Sequence, residues 1–412
     1  MSVRKYYIGN GNGFAAVLLR LFVITLCWYG LTHAGFVEDT LAVRYILDNN
    51  GRTDVPVMRV VDTLDRRVTD LFLNQLGLST LHDTIGVLTS LSTLNLDHND
   101  LPALPQRIGS LNRLKVLKAS SNKLTALPAA LMQCSLLIHI EVDHNEIAEL
   151  PAPLSGWRSL EILSIQSNRL RNLTVDFNEL RALKFLYAGN NEIGAIDERI
   201  DSLTELEVIS LNNNNLSSYP PGLCRLRKLR KLDLTSNRLL TLPEEIGDLS
   251  ALTDLYLSAN KLDGLPSTID HCTELQWLYI DNNRLVRIPD ELCSLTKLQW
   301  LSLSGNALTE LPRQIGNLAG LTVLSLSYNQ LSMLPESITK LEKLRILRLN
   351  GNELATLPEE IVDLQKLDFK RGGKEYGNLQ IGNNRLCDLP DKVADWADKY
   401  CTGWRESQRC GE

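Results

Sequence analysis

Asparagine returns at positions 99, 122, 145, 168, 191, 214, 237, 260, 283, 306, 329 and 352, at a constant interval of 23 residues. A fixed period of this length means that each unit is too small to bury its own apolar face and must stack on the next, so the chain grows by addition and not around a single core. Length alone would suggest two or three domains for 412 residues, and the period overrides that expectation.

Around each asparagine the frame is L-x-x-L-x-L-x-x-N-x-L-x-x-L-P-x-x-I-x-x-L, as in "LTVLSLSYNQLSMLPESITKL" at 321–341. The L-x-x-L-x-L part alternates with period two, so it predicts a short strand whose leucines face a core and whose intervening residues face outward. The Leu-Pro step ends backbone donation, and the following I-x-x-L returns the chain on the far side as a helical turn or extended loop. Parallel strands about 4.8 Å apart with a wider far side predict a curved stack, strands inside. The asparagine, a polar side chain in an apolar line, is expected to pair with backbone groups at the turn after each strand.

This pattern resembles the leucine-rich repeat family in its 23-residue form with Leu-Pro after the asparagine. "VTDLFLNQLGLSTL" at 68–81 keeps the leucines but has Leu76 in the asparagine slot, and Asn384 follows Asn352 after 32 residues, so fourteen repeats are expected from 68 to about 390. The predicted fold class is therefore α/β, a leucine-rich repeat solenoid shaped as a horseshoe, with a parallel sheet on the concave face and short helices or turns on the convex face. The resemblance implies recognition of a protein or peptide as the function.

The ends of such a stack need covers. "EDTLAVRYILDNNG" at 38–51 places Leu41, Ala42, Ile46 and Leu47 near helical spacing and predicts a helical N-terminal cap within 35–67. Residues 390–412 leave the period and form the expected C-terminal cap, with the repeats occupying 68–389. That cap is similar to those of exported leucine-rich repeat proteins, which implies a disulfide between Cys387 and Cys410 and leaves the state of Cys401 open. Cys134 and Cys272 occupy inward leucine slots, and Cys224 and Cys293 follow the far-side leucine; all four are expected as packed thiols.

Residues 1–34 contain Arg4, Lys5 and Arg20 but no acid, then the apolar run "LFVITLCWYGL" and small residues Thr32 and Ala34. These features predict a cleaved secretion signal. Eleven uninterrupted apolar residues fall short of the roughly 20 that span a bilayer, so no membrane span is expected after cleavage. The expected location is extracytoplasmic: periplasm, cell surface or medium. Removing three bases and no acids leaves 40 basic against 49 acidic residues, a charge of −9. Such a surface does not gather nucleic acid, and the basic stretch "RLRKLRK" at 225–231 reads as a solvated edge.

The chain has no phosphate-binding Gly-rich loop, no Cys-x-x-Cys and no His-Glu-x-x-His, so neither an enzyme nor a cofactor is predicted. His98, His139 and His144 lie near Asp97, Glu141 and Asp143, but the strand spacing puts the two histidine groups about 10 Å apart, too far for a shared metal, and none is predicted. The sequons at Asn172 and Asn215 arise readily from the N-x-L frame.

The outward strand positions are free of the frame and therefore carry the selective information. Aromatics collect there: Phe185 and Tyr187 on one strand, then Tyr256, Tyr279, Trp277 and Trp300, with Asp254 and Asp281 at the margin. Adjacent aromatics on a concave surface have the composition of a binding hot spot. The competing expectation is that they only stiffen the sheet, each cross-strand pair adding about 0.2–1 kcal/mol. Protein or peptide binding is the first functional reading, with glycan binding by the same rings and carboxylates as the alternative. The nine-residue excess near "FKRGGKEYG", 369–377, is expected as a loop at the rim.

Overall fold

The computed structural model describes residues 34–174, 177–367, 370–371, 374–375 and 378–410. The predicted leader lies outside these residues except for Ala34, and so does most of 369–377, of which only the two short strands Lys370–Arg371 and Lys374–Glu375 are described.

The chain divides into two compact units, one of residues 1–147 with 151–160, the other of 148–150 with 161–412. The first holds four parallel strands, Arg67–Phe72, Thr93–Asn95, Val116–Lys118 and His139–Glu141. The second holds ten of the same series, from Ile162–Ser164 to Leu379–Gln380, and a separate parallel pair, Asn172–Leu173 with Ala195–Ile196. Within each unit successive strands pair in register at the repeat interval, so that Asp254 faces Trp277 and Trp277 faces Trp300. Only the last pair departs, with Leu347 opposite Leu379. The inward leucines of the frame are fully buried throughout, as at Leu232, Leu255, Leu278 and Leu301.

The far side consists of short 3₁₀ turns, most of five residues and most entered from an extended proline, as at Glu244–Asp248 and Glu336–Lys340, where a leucine N–H bonds back to the carbonyl of the isoleucine slot. The reason is in the spacing. Ile246 and Leu249 are three residues apart, and three residues per turn is the 3₁₀ period, so both enter the core from one short turn.

The asparagines form a ladder. Asn237 accepts from Leu216 N–H at 3.0 Å and donates to the carbonyls of Leu211 and Leu234 at 2.9 and 3.1 Å. Asn260 and Asn329 repeat this pattern, each tying one repeat's turn to the strands of two. The residue before each asparagine is left-handed, which turns the chain out of the strand; glycine supplies this at Gly305 and Gly351, while Tyr328 adopts φ 57°.

Helix α1, Ala34–Asn49, covers the first repeat with Ala42, Val43, Ile46 and Leu47. Val43, not Leu41, is the fourth fully buried position, because Leu41 sits at the side of the buried stripe, half-covered. Asp39 is buried as well. It accepts from Arg67 Nε and Nη2 at 2.8 and 2.9 Å and from Val68 N–H at 2.9 Å. A hairpin, Val61–Leu64 with Arg67–Phe72, turns through left-handed Asp65 and Arg66 and completes this cap.

At the other end Val393, Ala394, Trp396 and Ala397 of helix α2, Asp391–Tyr400, close the core. Cys387 and Cys410 are bonded, with Cα atoms 5.9 Å apart. Cys134, Cys224, Cys272 and Cys293 are free and buried, and Cys401 is free and half-buried. Burial pushes Cys134 and Cys224 up to about 11 and Cys272 and Cys293 up to about 12. Burial raises Cys401 too, but its side chain is partly open; in the chain without residues 1–34, an aromatic disulfide reagent at pH 8 is therefore expected to label Cys401 first and the other four only in denaturant. Rapid labelling of several thiols in the native protein would contradict this packing.

Candidate ligand-binding surface

On the outward face of the second unit, the frame sets two rows of side chains across adjacent strands. One row runs Asp254, Trp277, Trp300, Val323, Ile346 and the other Tyr256, Tyr279, Ser302, Ser325, Arg348. Strand spacing places neighbours within ring-stacking reach, and they stack. Tyr256 lies on Tyr279 with centroids 5.1 Å apart and planes at 8°, and Trp277 on Trp300 at 5.8 Å and 26°. Tyr279 and Trp300 join the two pairs at 5.6 Å. Lys231 Nζ caps the run, 4.8 Å from the centre of the Tyr256 ring.

The four rings are half-buried, where the sequence suggested exposure, because each covers a face of its neighbour. Trp300 Nε1 is buried without an acceptor, so stacking and not hydrogen bonding holds this indole. Phe185 and Tyr187 stack on each other at 6.5 Å but do not join the cluster; the strands Val208–Ser210 and Lys231–Asp233 separate them from it.

Both predicted carboxylates are engaged within the protein. Asp281 accepts from Ser302 Oγ at 2.6 Å, Ser304 N–H at 2.7 Å and Ser258 Oγ at 3.4 Å. Asp254 accepts from Thr253 Oγ1 at 2.6 Å and from the Tyr256 hydroxyl at 3.2 Å. Burial, with the nearby carboxylates, raises both tyrosines above the ordinary phenol range, so they remain neutral donors.

Beyond Trp300 the surface changes. Val323 and Ile346 are nearly covered though they point out of the sheet, and Ser302, Ser325 and Ser327 are buried beneath longer neighbours. These positions carry no signal when each repeat is read alone. They emerge when the rows are read across strands, where small serines fall between Tyr279 and Arg348.

In the first unit, Lys118 Nζ meets Glu141 at 2.9 Å and His139 Nε2 lies 3.6 Å from the same carboxylate. Burial lowers the His139 pKa and raises that of Asp97. Among the described residues no group of three or more His, Cys, Asp or Glu side chains is placed to hold a metal, and no helix is long and apolar enough to cross a membrane. A groove of about 820 Å³ lies on the flank of the second unit, among Asp263, Arg287, Glu310 and Arg313, but it lines the Leu-Pro turns and not the strand face.

The family model for the leucine-rich repeat region matches residues 212–303 and 288–374. A leucine-rich repeat protein of Leptospira interrogans is 31% identical, over 80% of this chain and 87% of that one, with a TM-score of 0.67. The plant peptide hormone receptor RGFR1, solved in complex with RGF2, is 27% identical over 80% of this chain and 56% of its own, with a TM-score of 0.60. An internalin from Listeria monocytogenes, 24% identical over 81% of this chain and 95% of that one, has a TM-score of 0.66 and shares the fold. The chain spans little more than half the length of the plant receptor. No curated protein matches it in sequence. The chain belongs to the leucine-rich repeat family.

Proposed function

We propose that the protein is a non-catalytic, extracytoplasmic binding protein that takes a protein or peptide on the strand face of its second unit, with Trp277, Trp300, Tyr256 and Tyr279 as the anchor. One observation carries this reading: four aromatic side chains from three successive strands form a continuous stacked surface on the outward side of the sheet, where the fold has no use for them. Rings held in place by one another bind at low entropic cost, since little rotamer freedom remains to be lost. Sheet stiffening alone would be served equally by β-branched pairs. The peptide hormone bound by the plant receptor lends support by likeness of fold. Export is supported by the apolar run and small residues of 1–34 and by the cystine of the cap. We take 35–67 and 390–412 as caps and 68–389 as the binding array.

A glycan is the second reading, through ring faces and hydroxyl acceptors. It ranks lower because Asp254 and Asp281 already accept from internal donors and the rings already cover one another. Panning a displayed random-peptide library and probing a glycan array with the same mature chain separates the two. Recovery of a convergent peptide set supports the proposal; glycan spots without peptide recovery would replace it.

A further inference from the structure

Arg348 projects outward from the strand Ile346–Arg348, half-buried, opposite Ser325. Its guanidinium has no hydrogen bond, ion pair or ring contact among the described residues. Among the described strands of the second unit the other lysine or arginine on this face, Lys231, is engaged over Tyr256. Two residues on, Asn350 accepts from Ser327 Oγ at 2.5 Å, so its amide N–H groups are left as spare donors beside Arg348. Asp281, at the margin of the rings three strands away, is taken by three internal donors. Among the described residues this end of the face therefore offers an unpaired guanidinium and spare N–H groups, with the Gln380 amide opposite Arg348 on the next strand, within a chain whose net charge is −6.

From these donors, and resting on the peptide-binding reading above, we infer that Arg348 with Asn350 forms a subsite for a carboxylate side chain of an extended peptide whose apolar residue lies on the Trp277–Trp300 rings. A planar guanidinium with a forked set of donors fits a carboxylate in two-point contact. The strand interval sets the ligand's spacing. Arg348 stands two strands from Trp300 and three from Tyr279, about 10–14 Å, which an extended peptide covers in about three or four residues.

The test uses peptides displayed with their C-termini fused, so that any carboxylate selected comes from a side chain. Panned on the mature chain, the library is expected to enrich Asp or Glu about three or four positions from an aromatic or large aliphatic residue. Arg348→Gln is expected to lose the acidic preference and keep the apolar one, and Arg348→Glu to select Lys or Arg at the same spacing. Replacing the acid in a selected peptide by its amide is expected to weaken binding to the parent chain about tenfold or more and to leave binding to Arg348→Gln nearly unchanged. Peptides enriched without an acidic preference, or the same acidic set on all three chains, would overturn the subsite while leaving peptide binding intact. No enrichment on the parent chain would overturn both. Matching thermal melts of the three chains separate loss of recognition from loss of folding.

Discussion

Asn237→Asp is expected to destabilise the second unit by about 4 kcal/mol at neutral pH, although it changes a single amide to a carboxyl. The Asn237 side chain is nearly covered, and its amide nitrogen points at the carbonyl oxygens of Leu211 and Leu234. A carboxylate has no proton to offer them. Two buried carbonyls would lose their donor, each costing about 1–3 kcal/mol, and a negative charge would face them in place of N–H. Only the bond from Leu216 N–H survives the change. The sign of the pH dependence follows: an acid disfavoured as its charged form has a raised pKa in the folded state. Stability of the variant is then greatest below about pH 4, where the carboxyl is protonated in both states, and falls as pH rises. Asn237→Ala removes the same bonds without the charge and is expected to show the smaller loss and no such slope. Urea titrations of both variants at pH 4 and pH 7 read the difference; equal losses at both pH values would contradict the ladder's role.

Asp39→Ala is expected to cost about 3–5 kcal/mol and to loosen the first unit from its N-terminal end. The carboxylate is wholly buried and holds three donors, two from Arg67 and one from Val68 N–H. Without it the guanidinium has only Thr89 Oγ1 at 3.5 Å, and the Val68 amide, at the start of the first repeat, has no acceptor. Those groups sit between α1 and the first strand, so their loss separates the cover from the leucines it shields. Asp39→Asn is not expected to rescue the contact, since the amide NH₂ would oppose Arg67. An exposed pair gives the comparison: Lys228 Nζ lies 2.7 Å from Glu205, yet Glu205→Ala is expected to cost under about 1 kcal/mol because both groups stay hydrated. Limited proteolysis mapped by mass spectrometry is expected to find early cuts near 50–67 in Asp39→Ala alone.

The repeating part of this fold is legible because every residue of the frame answers one local demand. The period-two leucines give the strand, the asparagine its turn, and Leu-Pro the exit to the far side. The structure adds only that the return is 3₁₀, which the isoleucine-to-leucine spacing of three already contains. The caps are less legible, since they occur once and no period marks them. Asp39 looks like any helix-surface acid in sequence, and its burial depends on where Arg67 arrives, 28 residues later. The hairpin at Asp65 and Arg66 carries no Asn-Gly signal. The candidate surface stands between these cases. Trp277 and Trp300 are identifiable as outward by parity, and their adjacency by the period. Their partial burial is not, because it comes from ring against ring across strands. Arg348 lies on the row of Tyr256 and Tyr279 but is separated from them by Ser302 and Ser325, so no adjacency in the period marks it.

The division of labour is thus physical. Leucines and asparagines are consumed by stacking, so changes there alter stability, while the outward rows lie outside the repeating frame and are the positions proposed to select a partner. Titration calorimetry of one library-selected peptide into the parent chain and into Trp277→Ala/Trp300→Ala puts this to the test. Removing two half-buried rings from the centre of a recognition surface is expected to weaken binding about a hundredfold or more, with a melting temperature within a few degrees of the parent. Unchanged affinity in a folded double variant would show that the rings serve the sheet and that recognition lies elsewhere.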